Sequence, residues 1–348
     1  MPNVTETERR HRPTMREVAA LAGVSLKTVS RVINAEPNVS PDLADRVRTA
    51  IGSLDYRQNL TASSLRRSDG KTSTIGVLLE NVGNPFSSAV HRAIEDVARQ
   101  RGVAVFAGSL DEDEFREREL VRAFAARQVD GLIIAPASFD HRYLESERRS
   151  GTEIVFIDRA PIDFDADAVL TDNHAGAVLG LKHLMRAGHR RIGFLGDFRT
   201  IATARDRFAG YVESMRSIGI DVDEQLVRHD LHTAEGADAA VRGLLSCPTP
   251  PTALFASQNL ITIGAVRALH ETGRQHSVAL VGFDDIALLD LLDPGVTVVA
   301  QNPYEIGKQA ADALFRRLDG TAGPSKIRLL QAELIPRGSG EIPAPERL

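Results

Sequence analysis

Between Thr74 and Ser339 the chain alternates short apolar runs with amphipathic stretches, and no other feature narrows its fold so far. TIGVLL (74–79), VAVFAG (103–108), DGLIIA (130–135), EIVFID (153–158) and AVLTD (168–172) read as buried strands. Helical or loop sequence such as SSAVHRAIEDVARQRG lies between them. A second series runs from RRIGFLGD through TALFAS to VALVGFDD. Strand–helix alternation predicts parallel sheets covered by helices on both faces, and two series predict two α/β lobes. After VTVVAQN a helix is expected over Pro303–Leu318. IRLLQAELIPRGS then supplies strands returning across both lobes, so the chain crosses the lobe boundary more than once.

The N-terminal part has a different texture. Residues 1–13 are polar and aperiodic and read as a disordered lead-in, whereas Thr14–Asn34 reads as two short helices meeting at a glycine turn. Thr14 and Glu17 form a capping box. Val18, Leu21 and Ala22 recur at helical spacing, and Gly23 supplies the backbone angle that stops the helix. Ser25 caps a second helix that turns Val29 and Val32 inward and Leu26, Lys27, Thr28, Ser30 and Arg31 outward. Hydroxyls and cations on one exposed face suit phosphate oxygens and base edges, with Arg able to fork onto a guanine. Period and caps alone fit a surface αα-hairpin equally. A third helix follows, with Ser40 as cap, Pro41 at its first position, and Val47, Ile51 and Leu54 closing a small core.

The order REVAALAGVS, TVSRVIN, NVSPDLADRVRTAI, LDY resembles the start of the LacI/GalR family of bacterial transcription regulators, and the later alternation resembles that family's two-lobed, periplasmic-binding-protein-like effector domain. The resemblance covers roughly Met15 to Ser339. It implies an all-α helix-turn-helix headpiece over 14–58, a hinge helix and linker over 59–73, and an effector-binding and dimerisation domain over 74–340. In the hinge it implies that Asn59 begins the helix, Ala62 lies against the minor groove and Leu65 is wedged between base steps. The sequence departs from the family pattern at Gln58, where proline is usual, and at Ser63, where arginine is usual. A lone linker leucine is the plain alternative for Leu65.

Ligands of open α/β sheets sit beyond the carboxyl ends of strands. The residues there are Asn84-Pro85-Phe86, Asp158-Arg159, Arg205 and Arg207, Asp284-Asp285 and Gln301. From them Asn84, Phe86, Asp158, Arg207, Asp284 and Gln301 are assigned to a ligand, because each matches a position that the family uses for its effector. A flat apolar ring, carboxylates and a forked guanidinium suit a small polyhydroxylated or heterocyclic molecule. SQN at Ser257–Asn259 stands where the family often has an Asn-Asp pair.

Charge and motifs bound the function. Of a net −5, residues 1–70 hold 11 Lys/Arg against 8 Asp/Glu, so a small basic head joins an acidic body, which fits a local DNA contact. Cys247 is the only cysteine, which excludes an intrachain disulfide and a cysteine zinc cluster. His174, His183 and His189 cluster in sequence, but no metal site or cofactor is expected from them. The acidic run Asp111–Glu119 reads as a solvated helix start. GxSxG, P-loop, GxGxxG and HExxH patterns are missing, and no catalytic residue is assigned. With no secretory segment or membrane span, the cytoplasm is the expected compartment. The expected function is a ligand-responsive regulator, a repressor binding a palindromic operator as a homodimer or larger assembly. A sugar-binding or transport receptor is the alternative, for which the two lobes alone would suffice.

Overall fold

The computed structural model describes residues 13–33, 36–37, 39–57 and 71–346. Most of the lead-in, Asn34, and the hinge with Gln58, Asn59, Ala62, Ser63 and Leu65 lie outside the described residues. The chain divides into two compact units that meet between residues 72 and 73.

The first unit holds α1 (Met15–Ala22), α2 (Leu26–Ile33) and α3 (Pro41–Ser53). Thr14 Oγ1 accepts from Glu17 N at 3.4 Å while Glu17 accepts from Thr14 N at 2.7 Å, a reciprocal cap that satisfies two otherwise orphaned donors. Gly23 ends α1 at φ 62°, and Arg46 on α3 donates to the Ala22 carbonyl at 2.7 Å. Val18, Ala19, Ala22, Val29, Val47 and Ala50 form the buried core. Leu21, expected inside, is 57% exposed. The buried stripe is Met15, Val18, Ala19 and Ala22, and at ~100° per residue Leu21 falls about 110° from its centre.

The second unit contains two six-stranded sheets. Lobe 1 holds β1 (Thr74–Leu79), β2 (Ala104–Ser109), β3 (Gly131–Ile134), β4 (Glu153–Ile157) and β5 (Asp167–Thr171), joined by a late strand, β11 (Ile327–Leu330), in the all-parallel order β11-β5-β4-β3-β1-β2. Lobe 2 repeats the plan with β6 (Ile192–Leu195), β7 (Val227–Arg228), β8 (Ala253–Ala256), β9 (Ala279–Phe283), β10 (Thr297–Ala300) and β12 (Glu333–Ile335), in the order β12-β10-β9-β8-β6-β7. Only β12 runs antiparallel. The chain passes between lobes after β5, after β10 and after β11.

Alternate residues of each strand feed opposite faces, so each sheet carries two cores. In lobe 1, Ile75, Val77 and Ile133 pack with α4 (Pro85–Gln100) and α11 (Pro303–Leu318), while Leu78, Leu132 and Phe156 pack with α5 (Glu114–Ala125). In lobe 2, Leu254, Leu280 and Val298 meet α9 (Ala234–Leu245) and α10 (Asn259–Glu271); Phe194, Phe255 and Val281 meet α7 (Asn173–Arg186) and α8 (Ala202–Ser217). Where α9 and α10 cross, a Cβ on Gly264 would stand 2.2 Å from the Ala234 carbonyl, so only glycine permits this approach.

Two expectations are corrected. VAVFAG is not a buried strand: β2 closes one edge of its sheet and leaves Phe106 41% exposed. Composition does not distinguish an edge from a centre. The acidic run does start a helix, α5, but Glu117 within it is fully buried. It accepts from Ala137 N at 2.5 Å, Ser138 N at 3.0 Å and the Tyr143 hydroxyl at 2.6 Å, which compensates the buried charge.

Candidate functional site

On the headpiece, α2 presents one face of mixed polarity. Ser25, Leu26 and Lys27 are exposed, and Thr28, Ser30 and Arg31 are half-buried. Ser25 Oγ accepts from Thr28 N at 3.1 Å and bonds the Thr28 hydroxyl at 2.9 Å, so this pair fixes the first turn of the helix. Arg31 Nε stands 3.6 Å from Glu36, a loose and exposed pair that leaves the guanidinium free to reorient.

In the body, the carboxyl ends of both sheets face one cleft between the lobes, enclosing about 680 Å³ of empty space with its open mouth included. The structure brings together there all six residues that the sequence nominates for a ligand. The two lobes supply equivalent positions. Asp158 follows β4 and donates its N–H to Val169 of β5 at 3.1 Å; Asp284 follows β9 and donates to Val299 of β10 at 2.9 Å. Both have left-handed backbones, φ 64° and 72°, a conformation that costs a non-glycine residue about 1 kcal/mol or more and is held by the strands around it.

Arg207, from the first half of α8, is the centre of the lobe 2 wall. It is 5% exposed. Its Nε donates to Asn173 Oδ1 at 2.7 Å and one terminal nitrogen to the Ser257 carbonyl at 2.6 Å, with the Phe283 ring 3.9 Å below the guanidinium carbon. The other terminal nitrogen has no protein acceptor among the described residues. Burial pushes the Arg207 pKa down, and the Asp284 carboxylate opposes that. Burial likewise pushes the Asp284 carboxyl up, against Arg207 and the 2.7 Å bond donated by Gln301 Nε2. Gln301 Oε1 and Ser257 Oγ are buried in the same wall without a hydrogen-bond partner.

Asn84 is placed differently from the others. Its Oδ1 caps α4 by accepting from Phe86 N at 3.0 Å, and its amide pairs reciprocally with that of Asn259 at 2.9 and 3.2 Å. One residue belongs to each lobe, so this buried pair is a clasp across the cleft. Phe86 lines the cleft while packing on the lobe 1 core. Gln258 caps α10 through Leu260 N and Ile261 N.

Arg159, named beside Asp158 but not assigned, and several residues that the sequence reading passed over also line the cleft. Arg159 forks onto Glu112 at 2.7 and 2.5 Å and reaches Asp158 at 3.5 Å. From lobe 2, His232 Nδ1 bonds Asp197 at 2.9 Å, which raises the His232 pKa, and its Nε2 stands 3.7 Å from Glu80 of lobe 1. Glu80 is pushed up to about 7, chiefly by burial and then by the Glu112 carboxylate. Glu80 and Asp197 come at or just beyond the ends of the first strand of each lobe, so the strand-end rule could have found them. Nothing local marks His232, and Glu112 lay hidden in the acidic run. Of the residues considered and set aside, Asp285 is bound bidentately by Arg337 at 2.7 Å, and Arg205 donates to the Thr200 carbonyl at 2.6 Å. The three clustered histidines separate: His174 meets Glu213, His183 meets Glu341, and His189 bonds Thr252 and the Ile342 carbonyl. No helix among the described residues is long and apolar enough to cross a membrane.

Comparison with known proteins agrees with both units. Residues 14–59 match the family described as bacterial regulatory proteins, lacI family, and residues 181–340 match a periplasmic binding protein-like domain. The HTH-type transcriptional repressor CytR of Escherichia coli K12 is 30% identical over 94% of this chain and 96% of its own length. The ribose operon repressor of the same strain is 32% identical over 94% and 99%. Among solved structures, the lac repressor dimer bound to operator and the anti-inducer ONPF superposes with a TM-score of 0.82 at 25% identity, covering 95% of this chain and 99% of that one. The transcriptional regulator CelR–cellobiose complex gives 0.69 at 28%, covering 94% and 100%. A capped helix-turn-helix followed by two doubly wound lobes, related over nearly its whole length to such repressors, makes this chain a DNA-binding transcription regulator of the lacI family.

Proposed function

We propose that the protein is a repressor that binds a palindromic operator as a homodimer, and that a small donor-rich molecule held between the lobes sets its affinity. The observation that carries the ligand half is the cleft wall itself: a buried Arg207 and a buried Asp284, with unpartnered polar atoms on Gln301 and Ser257 in the same lining. Buried polar groups cost free energy unless partnered, and a hydroxylated or N–H-bearing ligand would partner them. Because residues from both lobes line the cleft, a ligand there favours one lobe separation over another, which is the differential contact that coupling requires. We assign Ser25, Leu26, Lys27, Thr28, Ser30 and Arg31 to the major groove, and Asn59, Ala62 and Leu65 of the hinge to the minor groove. The site of action is then the bacterial cytoplasm, and no catalytic role is proposed; the named relatives are repressors and regulators.

Arg31→Ala tests the DNA half. If α2 lies in the groove, this change costs about 1–3 kcal/mol per half-site and relaxes preference at one base pair, whereas Thr28→Ala weakens all sequences alike. Fluorescence anisotropy on a selected operator and on single-base variants reads both effects. Unchanged affinity and preference in Arg31→Ala removes the groove assignment.

A further inference from the structure

The cleft is not electrically balanced. Five carboxylates line it, Glu80, Glu112, Asp158, Asp197 and Asp284, against two guanidiniums and one imidazole. Arg159 is committed to Glu112 and His232 is bonded to Asp197, whereas Arg207 donates only to neutral groups and senses Asp284 through its field. Asp158 has a share of Arg159 at 3.5 Å. Glu80 remains: among the described residues the cation it approaches is His232 at 3.7 Å, already held by Asp197, and it shares the field of Arg159, which is held by Glu112. An anionic ligand, a phosphate ester or a carboxylate, would enter a site whose carboxylates outnumber its cations, with one unbonded terminal nitrogen of Arg207 to set against them.

An independent count, of hydrogen-bonding capacity, points the same way. Among the described residues, three buried lining atoms have no hydrogen-bond partner: Gln301 Oε1, which only accepts, Ser257 Oγ, which accepts or donates, and Arg159 Nε, which only donates. The carboxylates add only acceptors, while Arg207 offers one free terminal nitrogen. Counting the lone pairs of the carboxylates, acceptor capacity in the cleft exceeds the free donors.

We propose that the effector is a polyhydroxylated molecule bearing one protonated amine, with its hydroxyls at the Arg207–Asp284–Gln301 wall and its ammonium against Glu80. This rests on the cleft being the effector site, as argued above. An ammonium beside Glu80 compensates the charge that burial and Glu112 make unfavourable there, and it supplies three donors to an acceptor-rich corner. It also gives the lobes a common counter-ion, since Glu80 belongs to lobe 1 and Asp197 to lobe 2.

The test uses the full chain and a metabolite extract of the bacterium that encodes it, separated at pH 7 on cation- and anion-exchange resins. Scanning fluorimetry then reads which fraction raises the melting temperature. The expected result is a rise of several degrees with the fraction retained by the cation exchanger. Glu80→Gln should melt no lower than the parent without extract, and need at least tenfold more of that fraction for the same rise. If the neutral or anion-retained fraction carries the effect and Arg207→Ala removes it, the cleft is the effector site and the amine is overturned. The amine is equally overturned if Glu80→Gln responds to the cationic fraction like the parent. If no fraction shifts the parent, the reading of the cleft as an effector site falls, and this proposal with it.

Discussion

Arg207→Ala is expected to destabilise the two-lobed body by about 2–4 kcal/mol and to abolish any effect of a bound ligand on operator affinity. The stability loss is large because removing the guanidinium leaves Asn173 Oδ1 and the Ser257 carbonyl without their donor and takes away the positive field that opposes the cost of burying the Asp284 carboxylate, 6% exposed. Stacking on Phe283 is lost as well. The two consequences separate in a second variant. Adding Asp284→Asn removes the stranded charge, so the double variant should recover a substantial part of the stability while still failing to respond to ligand. Urea unfolding of the parent, both single variants and the double variant gives the coupling energy, and operator titration with and without the stabilising metabolite fraction gives the response. A double variant no more stable than Arg207→Ala would show that the cost comes from packing, and a retained response would remove Arg207 from the ligand site.

How far the sequence alone reached depended on the range of the signals involved. Capping pairs such as Thr14–Glu17 and Ser25–Thr28 act over three residues, and the apolar runs of a buried parallel sheet act within each strand, so helices and strands were legible where they lie. The strand-end rule, narrowed by the family resemblance, gathered Asn84, Phe86, Asp158, Arg207, Asp284 and Gln301, which do line one cleft. What it could not give is pairing across the lobes. The Asn84–Asn259 clasp joins residues 175 positions apart, and the Glu80–His232 approach joins another such pair, neither of which leaves any local trace. Burial of charge was also illegible. Glu117 sits in a run of acids that looks solvated, and its backbone donors at Ala137 and Ser138 come from the loop beyond β3. Exposure failed in the other direction at Leu21 and Phe106, because an apolar residue's type does not say whether anything covers it.

The Glu80 corner should make the stability of the parent fall with rising pH in a way that Glu80→Gln does not share. The folded-state pKa is about 7 against an ordinary value of 4.5, so the folded chain holds a proton that the unfolded chain has released between those values. A carboxyl raised in this way contributes stability that is complete below about pH 4.5 and is lost as pH climbs through 7. Above pH 7 the buried carboxylate must stand ionised beside Glu112 and Asp197, and the difference corresponds to at most about 2–3 kcal/mol after allowing for its partial exposure. His232, whose pKa is raised chiefly by Asp197, also binds its proton more tightly in the folded state and so loses stability in the same direction as pH rises through its folded pKa. Glutamine at position 80 removes the first contribution and trims the second, because one carboxylate supporting the imidazolium is gone. Urea midpoints for parent and Glu80→Gln, taken from pH 5 to 8 at fixed ionic strength, should therefore diverge, the variant gaining on the parent by up to about 2–3 kcal/mol at the alkaline end. Arg159 keeps its charge throughout this range and remains bonded to Glu112, so it shifts both curves alike. Parallel curves would mean that Glu80 is hydrated as well in the folded chain as in the unfolded one, and that the lobes do not close water out of this corner.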